Sequence, residues 1–217
     1  MKDLFGDEIA PDDPPETLKL WDDPEPGEFA SGPRIEDDPA AMAALLAGAI
    51  VGYDLHHKDN PFAPVVMGAC RALAYVTVAA ALTGSIPLAA AVSGAAIGAY
   101  VAGLTYAARQ ENLDTVGNLW PLILLAAPLA ASTGALTYGA SAIAIYLTPV
   151  VCIAAAVYLL ARRPVAGSVS RAIGWLIAGL SLCDAAILAS IGAIEVALVA
   201  IAGFAATLVA QRYVAGT

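Results

Sequence analysis

An all-α, polytopic transmembrane helical bundle is the fold class this sequence predicts, on three observations. Of 217 residues, 59% are hydrophobic and only 13% charged, with a mean hydropathy of +0.74. A soluble domain carries about 25% charged residues, so the polar side chains here are too few to cover a water-facing surface. Second, charge is segregated. Residues 1–39 hold thirteen acids against Lys2, Lys19 and Arg34, whereas residues 40–217 hold six acids and seven bases. Third, six apolar runs lie near 64–84, 87–108, 118–137, 140–161, 172–192 and 194–211. A helix crosses a bilayer in about 20 residues. The runs are continuous rather than alternating, which argues against a membrane barrel.

In chain order, residues 1–39 form an acidic tail with seven prolines and no sustained apolar period. Such a segment cannot bury enough surface to offset its ordering entropy, so it is expected to be disordered. No basic region followed by an apolar stretch marks a cleavable signal peptide. The helical domain is expected over 40–217. It opens with a short apolar run, 40–53, which reads as a tilted or interfacial helix and counts as a seventh segment if it spans. Then comes GYDLHHKDNP, residues 52–61, with both histidines, two aspartates and a lysine.

Arg71 lies about two turns into the next run. Within 87–108, Gly94, Gly98 and Ala102 repeat every four residues. Such a face lets helix backbones approach closely. We read it as packing inside one bundle, with a dimer contact as the alternative. Asp184 lies well inside the 172–192 run. Ionisable groups in membrane helices face the protein interior or a wet cavity and are functional candidates, although a hydrogen bond to a neighbouring helix would also account for Asp184. Cys70, Cys152 and Cys183 all sit in apolar runs and read as small packing residues, not as a disulfide framework or a zinc set.

Orientation follows from the bases. Lys58, Arg109, Arg162, Arg163, Arg171 and Arg212 fall in alternate loops, and the turns near 84–87, 137–140 and 191–194 contain none. Cytoplasmic loops carry the excess of Lys and Arg, so the basic loops are expected in the cytoplasm.

The chemistry concentrates in two of those loops. One offers Tyr53, Asp54, His56, His57, Lys58, Asp59 and Asn60; the other offers Arg109, Gln110, Glu111, Asn112 and Asp114. Glu111 and Asp114 share a face if the helix continues through them. Carboxylates beside lysine and arginine suit Mg²⁺ and a diphosphate, because magnesium bridges one or two carboxylates to substrate phosphates. The alternative is a solvated loop whose charges only set topology. Adjacent histidines do not face each other, and no Cys or third His completes a zinc set. No serine sits in a G-x-S-x-G elbow. No basic patch is present to neutralise nucleic-acid phosphates. A transporter is disfavoured, because only Asp184 lies deep enough for a midplane site.

YDLHHKDNPFAPVVMGACRAL, with Tyr53, Asp54, Lys58, Met67, Gly68, Cys70, Arg71 and Leu73, resembles the lysine-ended loop and following helix of the UbiA superfamily of membrane prenyltransferases. AYVAGLTYAARQENLD resembles the helix before that family's second acidic motif, and RAIGWLIAGLSLCDAAILA resembles a late helix. The resemblance covers roughly 45–217, the C-terminal portion of the family. It implies an all-helical bundle in a bacterial inner membrane, with a central cavity. In the family, two acidic motifs bind Mg²⁺ and the diphosphate of an isoprenoid donor, and a lipid-soluble, often aromatic acceptor captures the allylic cation.

Carried onto this sequence, the resemblance implies diphosphate binding by Lys58, Arg109 and Arg71, and metal binding by Glu111, Asp114 and Asp54. Tyr53, Asn112 and Asp184 are further candidates. Two departures stand out. The first acidic motif is not seen with its framing helices in 1–39, where DLFGDEI is only a faint likeness. Glu111 and Asp114 stand where Asp-x-x-x-Asp is expected. The expectation is a UbiA-type prenyltransferase. The alternative is an inactive or truncated relative that binds lipid or a partner subunit.

Overall fold

The structure, a computed structural model, describes residues 38–56, 60–109, 118–161 and 167–213. Among these residues every regular element is helical: α1 (Pro39–His56), α2 (Ala63–Thr83), α3 (Leu88–Ala108), the short α4 (Ala127–Ala131), α5 (Ala140–Ala161), α6 (Ser168–Ala189) and α7 (Ile194–Ala210). Two 3-10 segments, Trp120–Ala126 and Thr133–Thr137, flank α4. Residues 1–37 of the acidic tail, with the disorder expected of them, lie outside the described residues, as do Lys58, Glu111, Asn112 and Asp114. Pro39, expected in the tail, is the first residue of α1.

Among the described residues five helices, α1, α2, α3, α5 and α6, are long and apolar enough to cross a membrane. That agrees with an integral membrane protein but corrects the expected count of six long segments and one short one. The 40–53 run is the core of an 18-residue helix, because Pro39 starts the helix early and the polar Asp54–His56 turn continues it. Conversely, α7 has only 17 residues.

The larger correction is at 118–137, expected as one spanning helix and found as three short pieces. Pro128 has no N–H for the Leu124 carbonyl, which takes the Ala127 N–H in a 3-10 bond instead, so the α-helical ladder is interrupted in the middle. Pro121 sits in the first turn of its segment, where no ladder bond is lost. Ser132 ends α4 and turns its hydroxyl back onto the Pro128 carbonyl at 2.6 Å. Thr137 does the same to Gly134 at 2.7 Å. Irregular backbone survives at membrane depth only where protein covers it, and Leu125, Pro128, Ser132 and Ala135 are indeed buried. Because 3-10 turns rise about 2.0 Å per residue against 1.5 Å in an α-helix, the three pieces laid end to end still reach roughly 30 Å, the thickness of the hydrocarbon layer.

Within α5, Pro149 interrupts the ladder too. The carbonyl it leaves without an N–H is that of Ile145, four residues back. The Thr148 hydroxyl donates to that same oxygen at 2.7 Å, so the helix continues with its polar group satisfied. At the other end of the bundle, α2 is closed by Gly84, whose φ of 68° lets its N–H reach the Ala80 carbonyl at 3.0 Å. A left-handed residue at a helix end favours glycine.

The glycine series packs inside the bundle. A Cβ built on Gly98 would meet the Gly68 carbonyl oxygen at 2.7 Å, and one on Gly94 would meet the Ala72 oxygen at 3.1 Å. So α2 and α3 touch backbone to backbone, and the dimer alternative is not needed to explain these residues. The core then forms around α3, the 120–131 segment, α5 and α6, with Ile97, Tyr100, Leu125, Leu176 and Cys183 fully buried. Tyr100 donates its hydroxyl to the Leu176 carbonyl at 2.8 Å. A Cβ on Gly179 would come within 3.1 Å of that hydroxyl.

These contacts fix the relative direction of the helices. Tyr75 of α2 meets both Gly94 of α3 and Asp184 of α6, and Tyr100 of α3 meets Leu176 of α6. Going up α6 from 176 to 184 therefore means going down α3 from 100 to 94. The end of α3 and the start of α6 share one end of the bundle. So Arg109 and Arg171 lie at the same end, and Arg212 joins them, since Gln211 beside it donates to the Gly174 carbonyl at 3.1 Å. Gly192 against Tyr138, and Gly134 against Ser190, mark the opposite end.

Candidate functional site

Two places in the fold carry the candidate residues. The first is the basic end, where α1 stops, α2 starts and α3 stops. Tyr53 is half-buried and Asp54 exposed in the last turn of α1. His56 Nδ1 lies 3.3 Å from the Gly52 carbonyl in its own helix. The chain then meets Asn60. Its side-chain oxygen accepts the Phe62 N–H at 2.9 Å and its carbonyl accepts the Ala63 N–H at 3.2 Å. That is the turn that Asn-Pro favours, with Pro64 following in the first helical turn of α2.

The same Asn60 carbonyl accepts a second bond, from Arg109 Nη1 at 2.7 Å. Arg109 is the exposed C-cap of α3. The two polar loops are thus tied together at their roots, by Asn60 at the end of one and Arg109 at the start of the other. A guanidinium carries five donors in a planar fork, so a bond to one carbonyl uses only part of Arg109. Asn60 as the joint was not singled out from sequence; the Asn-Pro pair was its visible signal.

Lys58, Glu111, Asn112 and Asp114 lie outside the described residues. Of the expected magnesium ligands, only Asp54 is described. Its carboxylate oxygens are the donor type that magnesium prefers. Among the described residues, no three His, Cys, Asp or Glu side chains gather where they could hold a metal ion.

The second place is inside the bundle. The Tyr75 hydroxyl of α2 donates to Asp184 Oδ1 of α6. Arg71, one helical turn before Tyr75, is exposed, and its charge acts on both partners. At ~1.5 Å rise per residue, Tyr75 sits roughly 18 Å from the start of α2 and Arg71 roughly 12 Å. The pair therefore lies near the middle of α2, a helix long and apolar enough to cross a membrane. A carboxyl there needs a partner, and Tyr75 supplies one across a helix interface. The hydrogen-bond alternative for Asp184 is the one these atoms display. Arg71, expected at the diphosphate, is grouped here with Tyr75 and Asp184. Sequence reading missed Tyr75; its i, i+4 spacing from Arg71 was the available signal.

A cleft of about 680 Å³ lies apart from both places, between α5, α6 and α7. Its walls are apolar. No protein-family model, curated protein or solved structure matches this chain.

Proposed function

We propose that this is an integral membrane protein of the UbiA prenyltransferase type, which holds a prenyl diphosphate at its basic end and transfers the isoprenoid chain to a lipid-soluble acceptor. The observation that carries the reading is the Arg109–Asn60 bond of 2.7 Å. It supports convergence of the loop bearing Lys58 with the loop bearing Glu111 and Asp114, whose sequences carry the resemblance to that family. On this reading the basic end faces the cytoplasm of a bacterial inner membrane, as the Lys and Arg bias argues.

Lys58 supplies a point charge to the diphosphate, and Arg109 supplies paired hydrogen bonds. Arg71 adds positive charge from within α2. Asp54, Glu111 and Asp114 are the carboxylates through which Mg²⁺ would be held, with Tyr53 and Asn112 beside them. Held there, the ion would neutralise charge developing on a departing diphosphate. Without it the carboxylates repel the ligand.

The test is binding of a labelled prenyl diphosphate to the purified chain, with and without chelator. Glu111→Gln and Asp114→Asn are expected to weaken binding in Mg²⁺ and to matter little in chelator, whereas Lys58→Ala weakens it in both. Loss of one charge-assisted contact costs about 1.5–3 kcal/mol. Carboxylate variants that bind as well as the parent in Mg²⁺ overturn the assignment. Transfer is checked separately, by supplying Mg²⁺, donor and candidate acceptors to membranes that contain the chain.

A further inference from the structure

We propose that the cleft between α5, α6 and α7 is a binding site for an anionic glycerophospholipid, with one acyl chain in the cleft and the phosphate between Arg171 and Arg212. The site goes beyond the prenyl-diphosphate reading, which rests on α1 to α3.

The cleft exists because α5 and α7 both pack on α6 and scarcely touch each other. Along α5 it runs from Ala144 to Ala155, roughly 17 Å of helix, about the depth of one leaflet's hydrocarbon. Its walls present no unmet hydrogen-bonding need from Thr148 or Cys152: the hydroxyl donates to the Ile145 carbonyl at 2.7 Å and the thiol to the Trp175 carbonyl at 3.5 Å. A hydrocarbon chain is the occupant such walls suit, since they offer contact area and ask for no polar partner.

Charge names the rest of the ligand. Trp175 and Leu208 line the cleft toward the basic end. Arg171 stands one turn before Trp175 and Arg212 one turn after Leu208, both exposed. The bond from Gln211 Nε2 to the Gly174 carbonyl at 3.1 Å holds these two turns side by side. The acidic residues of α5, α6 and α7 are Asp184 and Glu195. Asp184 is bonded to Tyr75, and Glu195 is in the first turn of α7 at the other end. Within these three helices the two arginines thus have no carboxylate at their level, and a lipid phosphate complements them. Basic pockets between membrane helices bind anionic head groups in this way, and the planar arginine fork matches phosphate.

Trp175 makes the test direct, because it is part of the wall. In a Trp21→Phe, Trp120→Phe chain it is the sole tryptophan. This chain is reconstituted in phosphatidylcholine vesicles that contain, as a minor component, either phosphatidylglycerol or phosphatidylcholine with brominated acyl chains. The brominated phosphatidylglycerol is expected to quench Trp175 at a several-fold lower fraction than the brominated phosphatidylcholine. Arg171→Gln with Arg212→Gln should remove that advantage and leave quenching by phosphatidylcholine unchanged. Ala155→Phe, which fills the cleft, should reduce quenching by both lipids. Equal quenching in the parent overturns the proposal, as does a preference that survives loss of both arginines. Relief of the quenching by an equimolar long-chain prenyl diphosphate also overturns it, by making that molecule the occupant. None of these readouts involves Mg²⁺, Lys58 or the loop carboxylates, so failure here and failure of the transferase reading are separate results.

Discussion

The two sides of the bundle pack by opposite means. Helices α2 and α3 meet glycine on glycine, so closely that a Cβ on Gly98 would lie 2.7 Å from the Gly68 carbonyl. Helices α5 and α7 stay apart over α6 and leave the 680 Å³ cleft, lined by Leu147, Val151, Phe204 and Leu208 among others. In water the second arrangement would be closed by the hydrophobic effect. In a bilayer lipid is as apolar as leucine, so helices associate through close packing and hydrogen bonds instead. Small residues permit that approach, while large ones shaped for lipid do not demand it. The difference teaches that in this chain the polar and small residues, not the greasiest ones, decide which helices touch.

The sharpest way to break the comparison is to put a side chain where α2 and α3 touch. Gly98→Leu has the carbonyl of Gly68 in its way, and overpacking of this kind costs about 1–3 kcal/mol, occasionally more. The expected outcome is a large drop in the denaturing-detergent midpoint, with Gly48→Leu, which faces open space, close to the parent. Equal effects at the two glycines would mean that the close approach contributes nothing.

Next in size is the hydrogen bond between α2 and α6. Tyr75→Phe strands the Asp184 carboxyl without its donor, and bonds between membrane helices contribute about 0.6–2 kcal/mol. Replacing both residues together (Tyr75→Phe with Asp184→Leu) should recover most of the loss, because no polar group is then left unpaired. A purely additive double variant would show that the two side chains are not coupled.

A subtler effect is expected on the α5 side. Thr148→Val removes the hydroxyl that satisfies the Ile145 carbonyl beside Pro149, at a cost of about 1 kcal/mol. The cost should largely vanish in a Pro149→Ala background, where a backbone N–H is restored at that carbonyl. The smallest change belongs to the cleft itself. Ala155→Leu faces open volume, so its effect on stability should stay within about 0.5 kcal/mol.

Much of the fold was legible because its signals are local. Length and apolarity mark α2, α3, α5 and α6, and the Gly94–Gly98–Ala102 series already showed which face of α3 would be approached. The break in 120–137 was less legible, although Pro121, Pro128 and Gly134 are in plain view. Hydropathy counts prolines in an apolar run as part of it, while the backbone counts the N–H groups they lack. At the candidate site, Arg109 was visible as a base at a helix end. Its acceptor, the Asn60 carbonyl, was not, because a backbone oxygen leaves no mark on composition.

By itself, then, the sequence determined that this chain has helices apolar enough for a bilayer, and it marked α2, α3, α5 and α6 by length and apolarity alone. Those outcomes follow from solvent transfer and backbone hydrogen bonding, which each segment meets alone. Only the tertiary structure decided that Tyr75 would answer Asp184 across 109 residues of chain, that Arg109 would fasten one polar loop to another, and that α5 and α7 would part over α6. Each of these depends on two distant segments arriving at the same depth and angle. In a bilayer, where burial alone does not choose between neighbours, that meeting is settled by the fit of particular side chains and not by any property of one segment.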